Sequence, residues 1–291
     1  GLCKVCLSSG PTRTHFACRL NFTPPLRKIF VLLEMTQPSD KRKKWADIVP
    51  EIQYLSYGDK DAPPLLFLHG FGGNPVFYKP LFEILSKSHF VLAPRIYGQS
   101  YFSRQPYAFS EYLRLTMGFV RARGLSNYSV AGHSYGGLIS MFLGKFGANV
   151  KKIVSMSPML TADNLLPGIA HFGNQVIRDI QRNDERSEYY NLLRNMSIPW
   201  TYFENFMKNP VAFAVGALLA NAADLSRINI KQPAVMYHAE HDLLFNFGRD
   251  AREILKTKNK DLRIEILEGY GHNWVIYHPE FAAQVIRSFI G

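Results

Sequence analysis

A chain of 291 residues with 47% hydrophobic side chains is long enough to bury one substantial core, which excludes a disordered or fibrous polymer. Its formal net charge of +11 sits mainly in residues 1–44, where nine Lys/Arg face two Asp/Glu, so the excess does not mark the remainder as a nucleic-acid-binding body. All three cysteines, Cys3, Cys6 and Cys18, lie in that same stretch, so disulfides contribute nothing to residues 45–291 and cysteine usage fixes no compartment.

Residues 1–44 read as a basic, disordered tail. The chain starts without methionine, consistent with a processed or incomplete leader. An acid-poor, Arg-containing leader suits an organelle transit peptide, whereas a natural start at Met35 is the rival account. The expected location is therefore cytoplasmic, or organellar if the tail is a transit peptide. Lys41-Arg42-Lys43-Lys44 reads as a solvated charge run, and Ile29–Leu33 falls far short of the ~20 residues of a membrane span. Cys3, Cys6, His15 and Cys18 superficially resemble a zinc array, but their spacing fits no common finger, and no metal is expected.

After the tail, apolar strand-like runs alternate with helical patterns. A strand at Ile52–Tyr57 is followed by a second at Leu65–Leu68, which runs into His69-Gly70-Phe71-Gly72-Gly73. A glycine-rich turn of that kind leaves backbone N–H groups free to face a developing negative oxygen. A helix with Pro80 near its start spans Tyr78–Ser86, and a strand follows at Phe90–Leu92. Next comes a helix at Tyr112–Ala122, with Ser110 as its candidate cap. The strand Tyr128–Ala131 leads into Gly132-His133-Ser134-Tyr135-Gly136 and then a helix to about Phe146. Another strand spans Ile153–Ser157. From Thr161 to about Arg227 the alternation stops: the segment is helix-rich, and Val211–Ala220 is apolar on nearly every face, as a buried lid surface would be. Trp200, Tyr202, Phe203 and Phe206 are candidate linings of an acyl pocket. Alternation resumes with a strand at Ala234–Tyr237 ending in Ala239-Glu240-His241-Asp242, a helix at about Phe247–Leu255, and a strand at Leu262–Leu267. The glycine-loosened loop Glu268-Gly269-Tyr270-Gly271-His272-Asn273-Trp274 precedes a last helix at Pro279–Ile290. Short, nearly all-apolar strands separated by helices imply a largely parallel sheet covered on both faces.

A G-x-S-x-G element between strand and helix places a serine at the apex of a sharp, strained turn, its hydroxyl lifted clear of the sheet. Ser134 is that serine. Asp242 and His272 follow it in the order nucleophile, acid, histidine, one of three unrelated orders in which such triads occur. Each has competitors. His133 reads as a packing residue and His69 as a structural hydrogen-bonding one, while His241 faces away from its neighbour Asp242. Glu240, Asp163 and Asp250 are the alternative acids. The segment after Phe90–Leu92 carries Arg95, for which a surface ion pair is the expected role, ahead of recognition of an acidic substrate group.

These three ordered motifs resemble those of the α/β-hydrolase superfamily, in its branch with an H-G-x-G-G turn, a G-H-S-x-G elbow and a terminal G-H-x-W loop. The resemblance runs from about Ile52 to the C-terminus, with about Thr161–Arg227 matched by architecture alone. It implies an α/β fold: a mostly parallel, doubly wound sheet built from residues 45–160 and 228–291, with a helical lid inserted at 161–227. It implies Ser134 as nucleophile, His272 as base and then acid, Asp242 as the orienting acid, and the backbone N–H groups of Phe71 and Tyr135 as the oxyanion hole. Where many relatives carry aspartate after the strand at Phe90–Leu92, Arg95 stands here, which leaves the substrate subgroup open. The implied activity is a cofactor-independent serine hydrolase cleaving a carboxylic ester, with a small-molecule substrate bearing an apolar acyl group. Neither a nucleic-acid partner nor an integral membrane segment is expected. A carbon–carbon bond hydrolase of a diketone-type substrate and a ligand receptor with little turnover are the alternatives.

Overall fold

The computed structural model describes residues 49, 52–71, 73–96, 109–146, 149–160, 228–242, 255–257, 259 and 261–291, all within the unit Lys44–Gly291. The tail with its cysteine array, the segment 161–227 with its aromatic set, Asp163 and Asp250 lie outside the described residues. So does the helix expected at Phe247–Leu255, apart from Leu255 itself.

Seven strands form one sheet: β1 (Tyr54–Tyr57), β2 (Pro64–Leu68), β3 (Phe90–Pro94), β4 (Tyr128–His133), β5 (Val150–Met156), β6 (Ala234–His241) and β7 (Leu262–Gly271). Their spatial order is β1-β3-β2-β4-β5-β6-β7. β1 runs antiparallel to β3 and every other neighbouring pair is parallel. The chain therefore winds outward from β2 to β3 in one direction and from β4 to β7 in the other. Between β2 and β4 lies the switch point at whose carboxyl ends open α/β sheets bind ligands.

The alternation of strand side chains builds two cores instead of one core and one wet face. Leu66, Leu68, Val130, Ile153 and Met236 point to one side, against α2 (Phe109–Ala122) and α3 (Tyr135–Phe146). Leu65, Phe67, Ala131, Val154 and Val235 point to the other, against α1 (Lys79–Leu85) and α5 (Pro279–Ile290). Helices on both faces thus follow from central strands that carry apolar, buried side chains on both sides of the sheet. A short helix, α4 (Trp274–Tyr277), precedes α5, and Lys152 Nζ donates to the carbonyls of Phe289 and Ile290 at 3.0 and 3.2 Å, tying the C-terminal end of α5 to β5. Among the described residues no helix is long and apolar enough to cross a membrane.

Several sequence-based boundaries shift, among them the start of α2 and the end of β7. α2 begins at Phe109, so Ser110 lies in its first turn and does not cap it. β7 continues to Gly271, four residues beyond the expected end at Leu267, because β6 also runs on to His241 and supplies partners out to the His241–Gly271 pair. Across that extension the Gly269 N–H donates to Glu240 Oε2 at 2.9 Å. His272 therefore leaves the rim of a paired strand, where a longer loop had been expected.

Candidate active site

Ser134 stands between the end of β4 and the start of α3, with φ of 57°, a left-handed conformation that a serine adopts only when its surroundings enforce it. Three backbone hydrogen bonds do so: Ser134 N–H donates to Met156 O at 2.9 Å, and Ser134 O accepts from Leu138 and Met159 N–H, both at 3.1 Å. The flanking glycines are required by close approach. A Cβ on Gly132 would collide with Gly136 O, and one on Gly136 with Leu68 O at the end of β2. The turn is thus wedged against β2, at the switch point.

The two candidate backbone donors come from opposite sides of that wedge. Tyr135 opens α3, whose hydrogen-bond ladder begins only at Leu138 N–H, so the Tyr135 N–H precedes it. Phe71 follows β2 in a turn closed by Gly73 N–H to Gly70 O at 3.1 Å. The Phe71 and Tyr135 rings meet edge to face, 6.0 Å between centroids. A Cβ on Gly70 would lie 3.2 Å from Ser134 Cβ and 3.6 Å from its Oγ, which puts this turn directly beside the serine hydroxyl.

On the other side, Asp242 follows β6 in a turn closed by its own N–H to Ala239 O at 3.1 Å. His272 Nδ1 lies 2.7 Å from Asp242 Oδ2, and the two side chains are 4% and 0% exposed. A carboxylate only accepts, so Nδ1 carries the proton and Nε2 is left as the basic nitrogen. Of the alternative acids, Glu240 is exposed and engages Gly269 N–H and, at 3.9 Å, His241. His241 is exposed while Asp242 is buried, because the turn that follows β6 swings the carboxylate inward.

The His272 segment is anchored to two further strands. Trp274 Nε1 donates to Ser157 Oγ at 3.1 Å, just past β5. His133 Nε2 lies 2.9 Å from the His272 carbonyl, and His133 Nδ1 lies 2.8 Å from Tyr78 OH. Both nitrogens of His133 are thus engaged, and the packing role expected from sequence gives way to a bridge. Burial, reinforced by the neighbouring His272, pushes its pKa down to about 3. His69, also buried, meets Gly70 O through Nδ1 at 2.8 Å, in keeping with its expected structural role; burial takes its pKa to about 4. Neither the His133 bridge nor the Trp274–Ser157 bond was derivable from spacing, although His133 and Trp274 both sit inside the motifs.

Arg95 closes the end of β3 against the segment before β1. The β1–β3 pairing sets it opposite Gln53, whose carbonyl accepts from Arg95 N–H at 2.7 Å and whose Oε1 lies 3.5 Å from Nη1. Among the described residues no carboxylate pairs with it. Among the same residues, no group of three or more His, Cys, Asp or Glu is placed to hold a metal ion.

Residues 65–285 match the alpha/beta hydrolase family. No curated protein matches the chain in sequence. In structure it is similar to the enol-lactonase from Burkholderia xenovorans LB400, with a TM-score of 0.63 at 16% identity over 82% of this chain and 96% of that one. A lipase-esterase related protein from Clostridium acetobutylicum ATCC 824 gives 0.60 at 23% identity, over 82% and 99%. The naproxen esterase (carboxylesterase NP) from Bacillus subtilis gives 0.55 at 17%, over 82% and 87%. At such identities these likenesses establish the fold.

Proposed function

This chain belongs to the alpha/beta hydrolase family, and on that premise we propose that it is a serine hydrolase cleaving a carboxylic ester through an acyl-enzyme. The observation that carries the reading is the buried 2.7 Å contact between His272 Nδ1 and Asp242 Oδ2, which fixes the tautomer a general base needs. It is supported by the left-handed Ser134 at the switch point and by the Phe71 turn beside it.

The chemistry runs in two halves. Ser134 Oγ attacks the ester carbonyl carbon while its proton passes to His272 Nε2, and Asp242 stabilises the imidazolium that forms. The carbonyl π electrons move to oxygen, and that oxyanion accepts from the N–H groups of Phe71 and Tyr135, each worth on the order of 10²–10³ in rate. Collapse of the tetrahedral intermediate breaks the ester C–O bond, and the alkoxide leaves as alcohol with the proton held by His272. Water then attacks the acyl-Ser134 carbonyl and gives its proton to His272. Breakdown of this second intermediate returns the proton to Ser134 and releases the carboxylic acid.

In this reading residues 45–160 and 228–291 supply the catalytic body, 161–227 a helical lid over the site, and 1–44 a tail outside it. The substrate is a small molecule with an apolar acyl group. A substrate panel tests the assignment. Multiple turnover of p-nitrophenyl esters of short and medium acyl chains is expected, with no cleavage of ring-fission diketones. Diketone cleavage without ester turnover would assign carbon–carbon hydrolysis instead, and a single stoichiometric burst with no further turnover would assign a receptor.

A further inference from the structure

We propose that His133 is a positioning residue, a neutral imidazole bridging Tyr78 to the His272 backbone and thereby setting where the His272 ring stands relative to Ser134. The inference rests on the reading of Ser134 and His272 given above. The hydrogen-bond direction follows from the partners. A carbonyl only accepts, so the 2.9 Å contact between His133 Nε2 and His272 O requires the proton on Nε2. In a neutral ring Nδ1 is then the acceptor, and Tyr78 O–H donates to it at 2.8 Å. The result is a one-directional chain, Tyr78 O–H to His133 to His272 O, in which each bond polarises the next.

Its members are deeply buried polar groups among the described residues: Tyr78 and His133 are each 1% exposed and His272 is 3% exposed. The rings pack as well as bond, with 4.9 Å between the His133 and His272 centroids and 5.9 Å between His133 and Tyr78. His133 directly precedes Ser134, so the residue that holds the histidine backbone is covalently joined to the serine. One hydrogen bond and one peptide link therefore connect the two reacting groups, a much shorter path than the 137 residues of chain between them. Burial also keeps His133 neutral, so it neither competes for the proton that His272 takes nor adds a positive charge beside the imidazolium.

Two substitutions separate positioning from packing. His133→Gln places an amide N–H where Nε2–H stood and preserves the bond to His272 O, while losing the ring. His133→Phe preserves the ring and loses both bonds. Positioning predicts that the Gln variant keeps kcat within about threefold of wild type, whereas the Phe variant loses roughly 10- to 100-fold in kcat with KM changed less than about twofold. The rate of phosphonylation of Ser134 should fall in parallel in the Phe variant and recover in the Gln variant. A Phe variant as active as the Gln variant overturns the proposal. Should His133→Phe fail to fold, ¹⁵N-histidine NMR of the wild type decides: a neutral His133 protonated at Nε2 sustains the bridge, and an Nδ1–H tautomer or a cationic ring at pH 7 overturns it. If the wild type is labelled at a serine other than Ser134, the functional reading has failed, and the tautomer spectrum still decides the bridge.

Discussion

Replacing Asp242 with asparagine is expected to lower kcat by ~10⁴-fold while leaving KM within a few-fold of wild type. An asparagine fills the same volume, but its amide can donate to Nδ1, which drives the His272 proton to Nε2 and removes the lone pair that Ser134 needs. The charge that stabilises the imidazolium is also lost. Because Asp242 is buried against His272, bulk water supplies little substitute for either effect. Glu240→Gln is the control: its carboxylate serves Gly269 N–H and not His272, so the rate should stay within about threefold of wild type. Steady-state kinetics on a p-nitrophenyl ester reads both variants. Near-normal turnover of Asp242→Asn, or a collapse of Glu240→Gln, would assign the acid elsewhere.

Acid should destabilise the fold steeply between pH 7 and pH 5. His69 and His133 are buried as neutral rings, with burial the main cause of pKa values of about 4 and about 3; at His69 the Arg95 charge adds to it and the Gly70 hydrogen bond opposes it. In the unfolded chain both titrate near 6.5. Their folded-state values are depressed, so the unfolded chain binds more protons between about 3 and 6.5. Stability is full above pH 6.5 and falls as pH drops through that window. Each ring contributes up to ~1.4 kcal/mol per pH unit there, so by pH 5 the loss is roughly 2 kcal/mol per histidine and about 4 kcal/mol for the pair. Urea midpoints at pH 7, 6 and 5 measure it, and His133→Gln should remove about half the slope. A midpoint unchanged from pH 7 to pH 5 would contradict the burial of these rings as neutral species.

What was legible in the sequence is what sterics write into residue identity. Ser134 was recognisable because its turn admits no side chain at Gly132 or Gly136, and the alternating apolar strands gave the layered sheet because both of its faces are covered. Asp242 was separable from Glu240 only weakly by sequence. The structure separates them by burial, with Asp242 turned inward on His272 and Glu240 turned outward on Gly269. Glu268–Gly271 read as loop because glycines weaken a strand signal, yet pairing to β6 outweighs that local preference. The His133 bridge was invisible for a different reason. A ring beside the serine could point anywhere, and its contact with residue 272 arises only when β4 and β7 converge through two intervening strands.

The most direct test of the Ser134, His272 and Asp242 unit is to treat the protein with a fluorophosphonate and locate the adduct by tandem mass spectrometry. One phosphonyl group per chain is expected on Ser134 Oγ, none on Ser134→Ala, and labelling slowed by at least ~10³-fold in His272→Ala. An adduct on another serine, or a Ser134→Ala variant labelled as fast as wild type, would contradict it.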